Sequence, residues 1–210
     1  LPSVHAGKKT PLPVPVRIAS GVAGHIHPAV CQTKSGTIIV IFSQKCRVDL
    51  RVARSKDGGK TWTTPEPFPH TVKKTLYPGS LTTLPDGRLV HAWNRWYVPE
   101  GAKIKSRYVE YSISNDEGQT WSEPKQLAKN KIPSIIRHPL VPLAKDAWLL
   151  SLADRTVVYN PKTGQETPFG DGQVHGLVPI VRTPRGTFIS GKGLRSTAGG
   201  KSWQKIKGFP

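Results

Sequence analysis

Methionine is absent from the 210 residues, and the chain opens on Leu1. A sequence without an initiator reads as a processed or excised piece of a longer product, and no signal peptide remains to be read in it. No apolar run approaches the roughly 18 residues that a spanning helix needs, which excludes a transmembrane helix. No long stretch repeats apolar residues at i, i+3 and i+4 either, so extended amphipathic helices are not expected. Cysteine is scarce. Cys31 and Cys46 fit neither a zinc-ligand spacing nor a CxxC motif, so no metal or cofactor is expected, and spacing alone does not indicate a disulfide between them. Acidic residues are few as well, 13 against 31 Lys and Arg, which leaves a formal net charge of +18. Such an excess attracts polyanions without choosing among them. No helix-turn-helix, zinc-finger or RNA-binding aromatic signature accompanies it, so a specific nucleic-acid partner is not expected. Acidic glycans, anionic surfaces and simple solubility all fit the charge.

Glycine and proline are plentiful, 20 of each, which favours short strands and many turns. Within that background one octapeptide returns: Ser55–Trp62 is SKDGGKTW, Ser114–Trp121 is SNDEGQTW, and Ser196–Trp203 is STAGGKSW. The shared frame is S-x-x-x-G-x-[ST]-W, an internal repeat. Its residue types describe a tight hairpin turn with an anchored tail. Asp57 and Asp116 fold a carboxylate back onto turn N–H groups, and Gly59, Gly118 and, in the third copy, Gly200 supply positive φ. The hydroxyls of Ser55, Ser114 and Ser196 satisfy further main-chain groups, while Trp62, Trp121 and Trp203 bury a large ring as the next strand begins.

The repeat sets a frame for the whole chain. Residues 1–20 read as a proline-rich arm or closing strand, with Val16–Ala19 able to begin a strand. After it, His27–Val30 leads through a turn into 37–43, Tyr77–Ser80 into 88–93, Arg137–Leu140 into 147–152, and His175–Val178 into 187–191. A third strand follows each pair (49–55, 108–114, within 156–168, and 193–196), and then the octapeptide, which the third unit lacks. The unit is strand, strand, strand, hairpin, strand, and four are expected at about 21–70, 71–130, 131–170 and 171–210. Their starts at Pro28, Pro78, Pro139 and Val178 lie 50, 61 and 39 residues apart. Such periods suit a four-stranded propeller blade, which must stack on neighbours to bury its faces. The expected fold is all-β, a propeller of four-stranded antiparallel blades whose two end blades would tend to associate.

The three octapeptides resemble the Asp-box of sialidase-type (BNR-repeat) proteins, where the motif joins the two outer strands of a blade and has a structural role. The resemblance covers residues from about 25 to 205 and implies six blades in the complete fold. It also implies a secreted or periplasmic glycoside hydrolase acting on sialic-acid-type glycans. In that family an arginine two places before the first-blade proline helps to hold the substrate carboxylate. Here Ile26 of His25-Ile26-His27-Pro28 stands in that place, while Arg137 precedes Pro139 in the third unit and Arg17 lies upstream. The family's acid/base aspartate falls on the connection between the second and third strands of the first blade, where this chain has Asp49. Ion pairing of Asp49 with Arg47 or Arg51 is the competing reading. No residue matches the family's Tyr–Glu nucleophile pair; Tyr77, Tyr108 and Glu110 are available but differently placed.

The mouth of the central funnel is where chemistry is expected, and the aligned positions there are His27, Tyr77, His138 and His175, with Arg137 adjacent. Asp49, Tyr77, His27 and His138 are the candidate catalytic groups, and Arg137, Arg17, His175 and Trp96 the candidate substrate contacts. Trp93, Trp96 and Tyr97 stack on sugar rings if they face the funnel and are core if buried. Three functions fit: a sialidase-like hydrolase, a propeller lyase using His, Tyr and Arg on an acidic polysaccharide, or a non-catalytic glycan- or protein-binding propeller.

Overall fold

The computed structural model describes residues 14–23, 27–45, 49–70, 75–97, 106–127, 135–144, 146–170, 172, 174 and 176–209. Sixteen strands and no helix are found among them, so no described helix is long and apolar enough to cross a membrane. They form four antiparallel sheets, each of four strands in simple chain order. Sheet one holds β1 (Ala29–Gln32), β2 (Ile38–Ser43), β3 (Leu50–Ser55) and β4 (Glu66–Pro67). Sheet two holds β5 (Thr75–Thr83), β6 (Leu89–Tyr97), β7 (Ser106–Ser114) and β8 (Lys125–Leu127). Sheet three holds β9 (Val141–Ala144), β10 (Ala147–Ser151), β11 (Thr156–Tyr159) and β12 (Glu166–Pro168). Sheet four holds β13 (Ile180–Arg182), β14 (Phe188–Ser190), β15 (Leu194–Ser196) and β16 (Gln204–Lys205).

Strand alternation decides how the sheets stack. In β2 and β3 the odd set Ile39, Ile41, with Leu50 and Val52, faces Leu81, Leu89 and Trp93 of sheet two. The opposite set of sheet two, Val90, Ala92, Val109 and Tyr111, meets Trp148, Leu150, Val157 and Tyr159 of sheet three. Leu149 and Phe169 on the far side of sheet three then meet Ile180, Phe188 and Trp203 of sheet four. Each central strand is thus apolar on both faces, as a sheet packed between two others requires. The far side of sheet one, Val40, Phe42 and Ala53, is covered by Ile18, Ala19, Val22 and Trp62. Val16–Ala19, expected to begin a strand, joins no ladder; Pro15 brings no N–H to it, and the segment adheres through side chains, with one bridge from Ala23 to Lys45.

The first strands lie side by side. The Thr83 hydroxyl donates to Gln32 O at 2.6 Å, and Leu140 N–H donates to Ser80 Oγ at 2.9 Å. Because pairing is antiparallel throughout, the starts of β1, β5, β9 and β13 share one face, here called upper, with the β2–β3, β6–β7, β10–β11 and β14–β15 connections. The octapeptides join third to fourth strands on the opposite, lower face.

The hairpins have the geometry their residues require. Ser55 Oγ accepts Gly59 N–H at 2.8 Å, Asp57 Oδ1 accepts Thr61 N–H at 2.9 Å, and Trp62 Nε1 donates to Gly59 O at 3.0 Å. The second copy repeats this with Ser114–Gly118 at 2.7 Å, Asp116–Thr120 at 2.8 Å and Trp121–Gly118 at 3.2 Å. The Thr61 hydroxyl and N–H hold the Asp57 carboxyl well below the ordinary carboxylate range. Partial burial would raise Asp116, but the Thr120 and Ser114 bonds overcome it and bring its pKa to about 2. In the third copy Ala198 replaces the aspartate, and Ser196 Oγ still accepts Gly200 N–H at 3.0 Å. Where the third sheet lacks an octapeptide, Asn160 takes the aspartate's part, its Oδ1 accepting Lys162 N–H at 2.9 Å. A Cβ at Gly118, whose φ is 83°, would lie 2.9 Å from Ile39 Cδ1 in the neighbouring sheet, whereas one at Gly58, φ 72°, would meet nothing within 4 Å. Gly118→Ala is therefore expected to cost about 2–4 kcal/mol and Gly58→Ala only about 1 kcal/mol, as read by urea unfolding.

Candidate functional site

His27, Arg137 and His138 precede the first strands of their sheets, and proline explains why those strands start late. Arg137, His138 and Pro139 were expected to open a strand, but the ladder starts only at Val141. Ile180 likewise follows Pro179, since a proline brings no N–H to a ladder. These residues therefore occupy connections at the upper mouth, with side chains not committed to a sheet face. In sheet one His27 lies outside β1 and carries φ of 32°, a left-handed conformation uncommon for a residue with a side chain. Strain of this kind at a site mouth is maintained by its surroundings.

Arg137 and His138 are positioned from both sides. Asn94, fully buried in β6, donates from Nδ2 to Ile136 O at 2.7 Å and accepts Ile136 N–H on Oδ1 at 2.8 Å. This pair of bonds seats the residue next to Arg137 on sheet two. On the other side, His138 Nε2 donates to Leu177 O at 3.2 Å, and Ser151 Oγ contacts Gly176 O at 2.7 Å and Val178 O at 2.6 Å. The mouths of sheets two, three and four are thereby joined. Arg137 is exposed and His138 half-buried.

Tyr77 lies within β5 beside a bulge: the register shifts between Tyr77 and Ser80. Gly79 in that bulge has φ of 74°, and a Cβ there would lie 2.2 Å from Ala92 O. His91 Nε2 donates to Pro78 O at 2.7 Å, so the protonated nitrogen is Nε2 and the bare Nδ1 is buried without a partner among the described residues. Burial pushes the His91 pKa down to about 3, with the Pro78 bond opposing and nearby His70 assisting.

Asp49 sits on the β2–β3 connection of sheet one, on the upper face. Its Oδ1 accepts Lys45 N–H at 3.1 Å and its Oδ2 accepts Arg51 Nε at 2.9 Å. The carboxylate thus closes its own loop through one of the two arginines foreseen for it. Glu110, the other acid considered, is paired with Arg95 at 3.1 Å. Arg17 is exposed on the segment whose neighbours Ile18 and Ala19 cover the far side of sheet one. His175, Ile26, Arg47 and Cys46 lie outside the described residues, as do the side chains of Tyr77, Trp96 and Tyr97. Trp93 is core, fully buried against Phe68 and His91. Burial pushes the Cys31 thiol up to about 11, with a Thr83 bond opposing. Among the described residues no three His, Cys, Asp or Glu side chains converge as a metal site.

Four stacked, four-stranded antiparallel sheets define the sialidase-type propeller fold. Solved structures with this architecture include a Hadza microbial sialidase, 18% identical with a TM-score of 0.57, over 84% of this chain and 44% of that one. A leech intramolecular trans-sialidase is similar at 11% identity and a TM-score of 0.60, over 90% of this chain and 52% of that one. The GH93 α-L-arabinofuranosidase of Fusarium graminearum follows at 16% identity and a TM-score of 0.56, over 86% and 64%. The chain spans about half the length of the two sialidase-type proteins. No family model and no curated protein matches it.

Asn94, Ser151 and Gly79 are the positioning residues that sequence reasoning missed. Asn94 and Ser151 carry no local signal, since their partners are 42 and 25 to 27 residues away. Gly79 had one: a glycine inside a strand pattern, directly after a proline, marks a bulge.

Proposed function

We propose that this chain is a carbohydrate-active propeller of sialidase type that receives an acidic glycan on its upper face, outside the cell or in the periplasm. The observation that carries the reading is that both neighbours of Arg137 are held, Ile136 by Asn94 and His138 by Leu177 O. A guanidinium held there meets a sugar carboxylate, and the +18 charge draws acidic glycans toward it. As an exo-glycosidase, Asp49 is the acid/base: protonated and released from Arg51, it gives its proton to the leaving-group oxygen as water adds to the anomeric carbon and loses a proton to solvent, while Arg137, with Arg17, holds the carboxylate. His27, exposed ahead of β1, is the further polar group assigned to the same face.

A second reading, a lyase, is favoured by the Ile26 substitution and by the adjacency of a cation and an imidazole at 137–138. There Arg137 neutralises the uronate carboxylate and His138 or Tyr77 removes the adjacent proton. Incubation with a fluorogenic sialoside and, separately, with an acidic uronate polysaccharide separates them. The leading reading expects fluorophore release that falls by about 10²–10⁴ in Asp49→Asn. Unsaturated uronate, insensitive to Asp49→Asn and lost in His138→Ala, establishes the lyase instead. Neither product, with glycan binding retained, leaves a binding propeller.

A further inference from the structure

One of the three contacts between neighbouring sheets lacks its docked hairpin. Between sheets one and two a Cβ at Gly118 would lie 2.9 Å from Ile39 Cδ1, and between sheets three and four a Cβ at Gly200 would collide with Phe169. Trp121 and Trp203 pack into those same contacts. The hairpin of sheet three has neither feature. Tyr159 stands where the octapeptide serine stands, pairing with Trp148 as Ser114 pairs with Leu89 and Ser196 with Phe188, and no tryptophan follows it. A Cβ at Gly164 in its turn, φ 71°, would meet nothing within 4 Å. The turn therefore stands off sheet two, and a groove of about 420 Å³ opens between the two inner sheets.

The groove has an aromatic floor and a polar rim. Tyr111 of β7 and Tyr159 of β11 form the floor, their ring centroids 6.1 Å apart and the planes at 77°. Their hydroxyls bond to each other, and burial raises both phenols, so they remain neutral hydrogen-bonding groups. Tyr111 Oη donates to Pro161 O only at 3.5 Å, the outer limit for such a bond, which leaves this proton weakly held. Lys125 is the cross-strand partner of Tyr111, so its side chain leaves β8 on the same side. It is exposed, beside the exposed amide of Gln126. Across the groove Lys162 is paired with Asp146 at 2.8 Å, and Glu166, opposite Tyr159, is paired with Arg155 at 3.0 Å. Among the described lining residues Lys125 thus carries the charge that no ion pair offsets.

We propose that this groove is a glycan-binding site, separate from the upper face, that takes a pyranose ring bearing a carboxylate. The C–H face of the sugar lies over the tyrosine floor, Tyr111 Oη and the Gln126 amide meet its hydroxyls, and Lys125 meets the carboxylate. The volume suits a single sugar unit. A bare anion would use the lysine and leave the floor and the amide without a role, whereas a neutral sugar would leave the lysine without one. No reaction at the upper face is needed for binding here.

A backbone-amide NMR titration of the 210-residue chain with D-glucuronate, with glucose and inorganic phosphate in parallel, tests this. The expected result is saturable shifts at Lys125, Gln126, Thr163 and Gly164 with glucuronate, and affinities at least tenfold weaker for the other two. Lys125→Glu is expected to weaken glucuronate binding about tenfold and Tyr111→Phe about fivefold, and added salt weakens it as well. Arg137→Lys leaves these shifts unchanged, which separates this site from the upper face. The proposal is overturned by the absence of shifts at those four amides, by equal affinity for glucose or phosphate, by loss of the shifts in Arg137→Lys, or by binding that neither Lys125→Glu nor Tyr111→Phe alters.

Discussion

Replacing Asn94 with leucine is expected to destabilise the protein by about 2–5 kcal/mol, because it leaves the N–H and C=O of Ile136 buried without partners. For a chain of this size that corresponds to a fall in Tm of about 5–15 °C. The loss is not purely structural. Ile136 abuts Arg137, so the variant is expected to lose affinity for an acidic glycan at temperatures where it is still folded. Hydrogen exchange checks the route of the effect: the Ile136 amide becomes unprotected in Asn94→Leu while amides of β2 and β3 remain slow. Uniform loss of protection would show that Asn94 supports the core as a whole and does not seat the 136–138 segment in particular.

Acid is expected to weaken the fold before any carboxylate is protonated. An unfolded histidine titrates near 6.5, whereas burial holds His91 at about 3, so the unfolded chain binds the extra proton first. Stability is complete above pH 6.5 and declines as the pH falls through that window toward 3, by about 1.4 kcal/mol per pH unit at its steepest. The rings packed around His91 are Phe68, Trp93 and Trp121, and the titratable group nearby is His70, whose positive charge adds to the penalty. Asp57, Asp116 and Glu117, all held below their ordinary values by hydrogen bonds, lose their contribution only as the pH falls below about 4.5. Among the described groups whose pKa is clearly displaced, His91 is the one that acts between pH 6.5 and 4.5. His91→Leu gives up the bond to Pro78 O, so its stability at neutral pH is lower, yet urea midpoints between pH 6.5 and 4.5 should become nearly level. A variant that keeps the wild-type slope would assign the acid sensitivity elsewhere.

The local chemistry of the fold was legible in the sequence, and its lateral contacts were not. The octapeptides announced their turns because serine, aspartate, glycine and tryptophan act within eight residues of one another, and the hydrogen bonds found run inside that span. Trp93 fell inside an alternating strand pattern and proved to be core. The third unit's turn was harder to see because Asn160 replaces the aspartate and brings no tryptophan after it. Asn94 was invisible for a different reason. A buried asparagine in a strand acquires meaning only from the backbone group opposite it, which belongs to another sheet. The same holds for the upper face: the repeat frame aligned His27, Tyr77 and His138, but Tyr77 lies within β5 whereas His27 and His138 precede β1 and β9, because strand starts depend on how the sheets stack. Arg137 illustrates the gap. Its place before a proline was readable, whereas the bonds that hold its neighbours, Ile136 to Asn94 and His138 to Leu177 O, come from tertiary packing alone.

The most direct test of the proposed site is a backbone-amide NMR titration of the intact chain with N-acetylneuraminic acid, with an uncharged hexose in parallel. Binding at the upper mouth predicts saturable shifts at Arg137, His138, Ser151 and Gly176 that the uncharged sugar does not reproduce and that Arg137→Lys weakens. Shifts confined to the lower face, around Thr83 to Asp86, or no difference between the acidic and the uncharged sugar, would contradict the account.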